Sequence, residues 1–329
     1  MRPFAIARPR TAEEASALVA DERFALPVLK AGGMDVVDHL KEGLIEPDLL
    51  VDVRGLGAGI MVSEADGRVR IEAMTTLAEI AASPVLARHA PVVAQAVADA
   101  ATPQVRSVAT AAGNLLQRPR CWYYRNEQFH CLKRGGHTCY AVEGENRYHA
   151  IFGEGPCHIV HPSNLAPALY VCGGTVHLVG TDVVQRDVRA IFHGPESGLT
   201  SEHVLVRGEV VTHITLAPAP KSGFYAVKEK QSFDWPLVMA AAALEMDGST
   251  IRAARICAGA VAPVPWPLPK VEAALRGVSV DDATALAQAC AKAADGARPM
   301  SDNAYKVRLL PVAVRRAVLI AAGRRAEEV

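Results

Sequence analysis

The spacing of apolar residues changes several times along this 329-residue chain, and each change marks an element. Thr11 stands just before EEASALVA, so its hydroxyl can cap a helix over that run. An apolar strand, PVLKA, follows, then the turn GGMD, then a strand LLVDV ending near Arg54. Together these make a small α/β unit over about residues 1–55. A second unit spans about 56–218. In it GRVRIEAMTTLAEIAAS joins an alternating strand to a capped helix, VVAQAVADAA reads as an apolar helix, and APALYVCGGTVHLVG and EVVTHITLAP read as strand-rich. A polar stretch over about 118–160 interrupts this unit, and PAPKSG marks a boundary near 218. Residues 219–329 open with strands in FYAVKEK and IRAARICAGAV and close with alanine-rich helices in DDATALAQACAKAA and VAVRRAVLIAAG. The chain carries no internal repeat.

Half of the residues are apolar, enough for real cores, and the length suggests two or three domains. Thirty-five lysines and arginines balance thirty-five aspartates and glutamates without gathering into a basic stripe, which argues against nucleic acid as a partner. MRPFAIARPRTAEEA has no uninterrupted apolar run of the signal-peptide kind, and no segment reaches the roughly twenty apolar residues of a membrane span. The expected compartment is the cytoplasm, where thiols stay reduced; export as a folded complex on a partner's signal, to the periplasm, would leave no mark on this chain.

The polar stretch holds the chain's chemistry. Cys121, Cys131, Cys139 and Cys157 fall within 37 residues, whereas Cys172, Cys257 and Cys290 sit singly in apolar surroundings, as small buried hydrophobes do. Four soft sulfurs on one loop can hold a tetrahedral zinc or an iron–sulfur cluster, or stay free or disulfide-bonded. The sequence lacks the tight C-x2-4-C pair usual in structural zinc sites, and a cube can be gripped from widely separated positions. His130 and His137 flank two of the cysteines and are candidates to replace one, although a loop histidine is more often solvated.

Two glycine-bearing turns complete the candidate chemistry. Lys30-Ala31-Gly32-Gly33-Met34-Asp35 follows a strand and leads into a short helical pattern; paired glycines allow positive φ and close approach of an anion to backbone amides, though a tight turn alone needs no more. It is not a G-x-G-x-x-G fingerprint. The second, Val108-Ala109-Thr110-Ala111-Ala112-Gly113-Asn114-Leu115, is made of small residues that cannot fill a core, so either close helix packing or a flat ligand lies against it, with Thr110 and Asn114 as hydrogen-bonding groups.

The succession AGGMD, ATPQVRSVATAAGNLLQRPRCWYYRN, the cysteine loop with GENRYHAIFG, then HPSNLAPAL and KQSFDWPLV resembles the FAD-binding subunits of the xanthine dehydrogenase, or molybdenum hydroxylase, family. More narrowly it is similar to the subgroup with an extra [4Fe-4S] cluster. The likeness runs over essentially the whole chain. It implies an α+β fold: a two-subdomain FAD-binding domain of the vanillyl-alcohol-oxidase (PCMH) type over 1–218, and a smaller α+β domain of sheet and helices over 219–329. It implies that Lys30, Ala31, Gly32, Gly33, Met34, Asp35 and Val36 wrap the FAD pyrophosphate, with Met34 in place of the family's usual hydroxyl residue. It further implies Thr110, Gly113 and Asn114 near the flavin, Ser163 and Asn164 near its ribose or adenine side, and Leu205 packed by the ring. Lys228 stands two residues beyond Ala226, which replaces a common lysine. Cys121, Cys131, Cys139 and Cys157 would then ligate the [4Fe-4S] cluster.

The chain offers no nucleophile elbow, no HExxH and no paired carboxylates for substrate chemistry of its own. The resemblance therefore implies an electron-transfer subunit: a large molybdenum-cofactor partner oxidises the substrate, a small partner with two [2Fe-2S] clusters relays electrons, and FAD here reduces an external acceptor. Two other readings stand beside it, a non-catalytic zinc-stapled scaffold and a stand-alone flavin oxidase.

Overall fold

A computed structural model describes residues 2–180, 184–230 and 233–324; Gln231 and Ser232 of the KQSFDWPLV motif lie outside them. Among the described residues three sheets organise the fold. The first is parallel, with β1 (Ala5–Ala7) and β2 (Pro27–Lys30) on either side of β3 (Leu49–Asp52). Thr11 caps the helix Ala12–Ala20 by accepting from the Glu14 amide, as its position predicts. Parallel pairing demands crossovers, and this helix and Val36–Lys41 supply them.

The second sheet is antiparallel, ordered β4 (Ile60–Val62), β5 (Val69–Glu72), β8 (Val210–Leu216), β6 (Thr175–Val179), β7 (Gln185–Asp187). Between β5 and β6 the chain makes a series of short helices. Thr76 and Glu79 form a reciprocal capping box on Leu77–Ala81, and the apolar helix Pro91–Ala98 is buried behind it. One expectation fails here: APALYV is not a strand but most of the helix Leu165–Val171. The helix is buried on nearly all sides, so its apolar run lacks the polar spacing that would have marked a helix, and only the Gly173-Gly174 break begins the strand β6.

The third sheet, β9 (Ser222–Val227), β10 (Val238–Asp247), β11 (Thr250–Gly259) and β12 (Trp266–Pro267), is an antiparallel meander. Strand β10, unannounced by the alanine-rich MAAAALEM, separates two cores. Met239, Ala241 and Ala243 enter the core shared with the first domain, while Val238, Ala240, Ala242 and Leu244 face the core covered by the helix Tyr305–Ala321. Both faces are pressed against neighbouring elements, which explains the small side chains. Cys172 and Cys257 belong to the first core and Cys290 to the second, as expected for isolated cysteines.

Candidate cofactor site

The two glycine turns, far apart in sequence, meet. A β-carbon on Gly32 would overlap the carbonyl oxygen of Val108, so only glycine permits this approach. Gly33 adopts φ +87° and turns the chain into the helix Val36–Lys41. Among the described residues the backbone N–H groups of Gly32, Gly33, Met34, Asp35 and Val36 find no protein acceptor. Consecutive unpaired amides at a glycine turn form the nest that an anion such as pyrophosphate fits. Met34 is largely exposed and offers no hydroxyl.

The second turn is fixed from behind. The Leu77 amide donates to the Ala109 carbonyl, and the Ala111 and Ala112 amides donate to Thr75 and Ala73. Thr110 caps the short helix Ala111–Leu115 by accepting from the Gly113 amide. Asn114 Oδ1 then accepts from Ser163 Oγ at 2.7 Å, which joins HPSN to this turn. Asn164 instead points inward, donating to the Ala96 carbonyl at 3.2 Å. Lys228 is likewise engaged, with its Nζ 2.7 Å from the Asp99 carbonyl and 2.8 Å from its carboxylate. Leu205 packs on the edge of the first core.

Between the second turn and HPSN, the loop at 118–160 carries little regular structure beyond one helical turn, Trp122–Arg125, and a tight turn at Leu132–Arg134. It nevertheless brings Cys121, Cys131, Cys139 and Cys157 around a single cavity, walled by Tyr123, Tyr140, Lys133 and His149. The Cys139 and Cys157 thiols stand beside each other, and their mutual influence holds the Cys139 thiol below its ordinary range and drives that of Cys157 up. Burial raises Cys121 to about 11, and its Sγ lies 3.2 Å from His149 Nε2. None of the four is in a disulfide. The free space among them is about 10 Å³, and among the described residues no three His, Cys, Asp or Glu side chains stand close enough to grip one metal ion. The space is thus about that of one water molecule, although the four thiols that border it are the soft donors an iron–sulfur cluster takes.

His130 and His137 are both exposed and neither lines this cavity. The histidines that do are His149 and His158, which sequence reading passed over; burial holds His149 neutral, with a pKa lowered to about 4. Other unforeseen residues anchor the loop to the C-terminal domain. Fully buried Asn146 donates to the Ala141 and Gly144 carbonyls and to Ser301 Oγ, and accepts from the Asp302 amide. Asn303 donates to the His149 and Ala150 carbonyls, and buried Lys306, its pKa lowered by desolvation to about 7, donates to those of Tyr148 and Ala260. Lys133 lies in the cavity wall with Nζ 2.8 Å from Glu202, which also pairs with Arg118 at 2.7 Å.

Comparison with known proteins agrees with this architecture. Residues 2–218 match the FAD binding domain in molybdopterin dehydrogenase, and residues 223–321 match the CO dehydrogenase flavoprotein C-terminal domain. The chain is 32% identical over 318 residues to the aldehyde oxidoreductase FAD-binding subunit PaoB of Escherichia coli (strain K12), covering 94% of this chain and 95% of that one. It is 28% identical over 320 residues to the carbon monoxide dehydrogenase medium chain of Afipia carboxidovorans, covering 94% of each. Among solved structures it superposes on a chain of the Cu,Mo-CO dehydrogenase with a TM-score of 0.75 at 24% identity, covering 99% of this chain and 100% of that one. A chain of quinoline 2-oxidoreductase from Pseudomonas putida 86 gives a TM-score of 0.74 at 23% identity, covering 98% of each. Among the described residues no helix is long and apolar enough to cross a membrane. The chain therefore belongs to the FAD-binding medium subunits of the molybdenum hydroxylase family, and is an oxidoreductase subunit.

Proposed function

We propose that this subunit binds FAD noncovalently across its two glycine turns and one [4Fe-4S] cluster on Cys121, Cys131, Cys139 and Cys157. In this reading residues 1–218 form the FAD domain and 219–329 its C-terminal companion. The observation that carries the proposal is the convergence of four free cysteines, from a loop rooted beside both turns, on one cavity. The FAD and the cluster would supply electron storage and transfer, which side chains alone cannot. Gly32, Gly33, Met34, Asp35 and Val36 offer their amides to the diphosphate, with Lys30 and Ala31 leading into the turn. Thr110, Gly113, Asn114 and Ser163 fix the surface against which the flavin rests, and Leu205 borders it. Asn164 and Lys228 support that surface through Ala96 and Asp99. The aromatic side chains of Trp122, Tyr123 and Tyr140 screen the cysteines from water.

The subunit works within a hetero-oligomer. A large partner with the molybdenum cofactor oxidises the substrate, a small partner with two [2Fe-2S] clusters delivers electrons, and an external acceptor removes them here. The reading is supported by the 32% identity to an aldehyde oxidoreductase subunit over nearly the full length. The test is expression of the chain alone and with candidate partner genes, followed by light scattering and aldehyde-dependent dye reduction. A larger complex with aldehyde activity, and no activity from the chain alone, is expected; aldehyde oxidation by the chain unaided would overturn the assignment.

A further inference from the structure

The family reading gives Asp35 to the nucleotide, yet its carboxylate faces the other way. Asp35 precedes the helix Val36–Lys41 but makes no side-chain cap on it. Its Oδ2 accepts from the Arg118 amide at 2.8 Å, and its Oδ1 accepts from Arg125 Nη2 at 2.7 Å and pairs with Arg120 Nη1 at 3.1 Å. These three arginines bracket Cys121 on both sides. Arg125 also donates to the Pro119 carbonyl at 2.9 Å, which closes the root of the cysteine loop around the carboxylate. One helical turn on, His39 Nδ1 lies 2.8 Å from the Asp35 carbonyl, an acceptor only, so Nδ1 carries the proton. His39 Nε2 is then free to accept from Tyr124 Oη at 2.9 Å, and Tyr124 lies three residues from Cys121. Burial raises the Asp35 pKa, but Arg120, the Arg118 amide and Arg125 outweigh it and keep the group below the ordinary carboxylate range.

We infer that Asp35 is a positioning residue that ties the root of the cysteine loop to the first glycine turn, so that binding at the turn and binding among the cysteines are coupled. The backbone of Asp35 belongs to the turn whose amides are unpaired, and its side chain belongs to the loop. A ligand that orders one therefore reduces the freedom lost in ordering the other. The inference rests on the proposed assignment of FAD to the turn and the cluster to the cysteines.

The experiment is titration of the full chain with FAD, before and after anaerobic removal of its iron by a chelator, read by flavin fluorescence. In the wild type, iron removal is expected to weaken FAD binding at least about fivefold, the low end for coupled sites. Asp35→Asn should bring the ratio of the two dissociation constants close to one, as should Arg125→Gln, which removes the other half of the contact. Asp38→Asn, on the same helix but with a largely exposed side chain 3.9 Å from Arg120, should leave the ratio unchanged. Coupling that survives in whichever of the Asp35→Asn and Arg125→Gln proteins folds would overturn the inference, as would a wild-type ratio of one in a chain that holds both groups. A wild-type chain that holds no flavin or no iron would overturn the functional reading itself, and the inference with it.

Discussion

Gly32 lies against the carbonyl of Val108 so closely that the two glycine turns share one surface. Replacing Gly32 by alanine must push this backbone contact apart. An overpacked contact costs about 1–3 kcal/mol, and for a domain of this size each kcal/mol lowers the melting midpoint by about 2–4 °C. Calorimetry on Gly32→Ala should therefore show a drop of several degrees together with lost flavin. An unchanged midpoint would mean that the turns are not in contact.

Gly33 separates the phosphate role from packing. Its φ of +87° strains any β-branched residue, whereas the space around it is limited only by Lys30 Cε and Val37 Cγ2 at 3.3 and 3.4 Å. Gly33→Val should keep its circular dichroism spectrum and lose flavin. Full flavin content in the folded variant would remove the diphosphate from this turn.

The cysteine loop should depend on Asn146 as much as on its sulfurs. Asn146→Ala removes an amide whose two N–H groups are shared among three acceptors and whose oxygen accepts once, at a buried site, and each buried partner left unsatisfied costs about 1–3 kcal/mol. Melting midpoint and iron content should fall together, while Asn126→Ala, at an exposed position, should change neither.

How much of this was legible in the sequence depended on whether a feature was local. The Thr11 and Thr76 caps, the strands before and after GGMD, and the clustering of four cysteines are short-range patterns, and the structure bears them out. Helix Leu165–Val171 and strand β10 are buried on both faces, so neither shows the alternation that separates helix from strand. Contacts between distant segments were equally silent. Nothing in AGGMD announces that Asp35 pairs with Arg118, Arg120 and Arg125, and His149 reads as one more loop histidine until it is seen beside Cys121.

Acid should weaken the fold early. His161 is fully enclosed, against Phe192, and burial lowers its pKa from 6.5 to about 3. The unfolded chain therefore takes up a proton that the folded chain refuses. Stability is unaffected above about pH 6.5 and falls as pH drops from 6.5 toward 3, by up to about 1.4 kcal/mol per pH unit from this group. His149 and His213, each lowered by burial to about 4, add to the slope in the same window. Urea denaturation of His161→Leu between pH 7 and 4 should show a shallower loss than the wild type. Parallel curves would exclude His161 as a source.

Single serine variants distinguish the loop cysteines from the core ones. Cys121, Cys131, Cys139 and Cys157 each border the cavity, so serine at any of them should lower iron content or alter the reduced-state spectrum. Serine at Cys172, Cys257 or Cys290 should affect stability only, because these lie in the apolar cores.

Metal and flavin analysis of the wild-type chain, purified without oxygen, tests the central claim most directly. The expected result is a brown-yellow protein with one FAD and one four-iron cluster per chain. Stoichiometric zinc in a colourless protein, or flavin without iron in a yellow one, would contradict it.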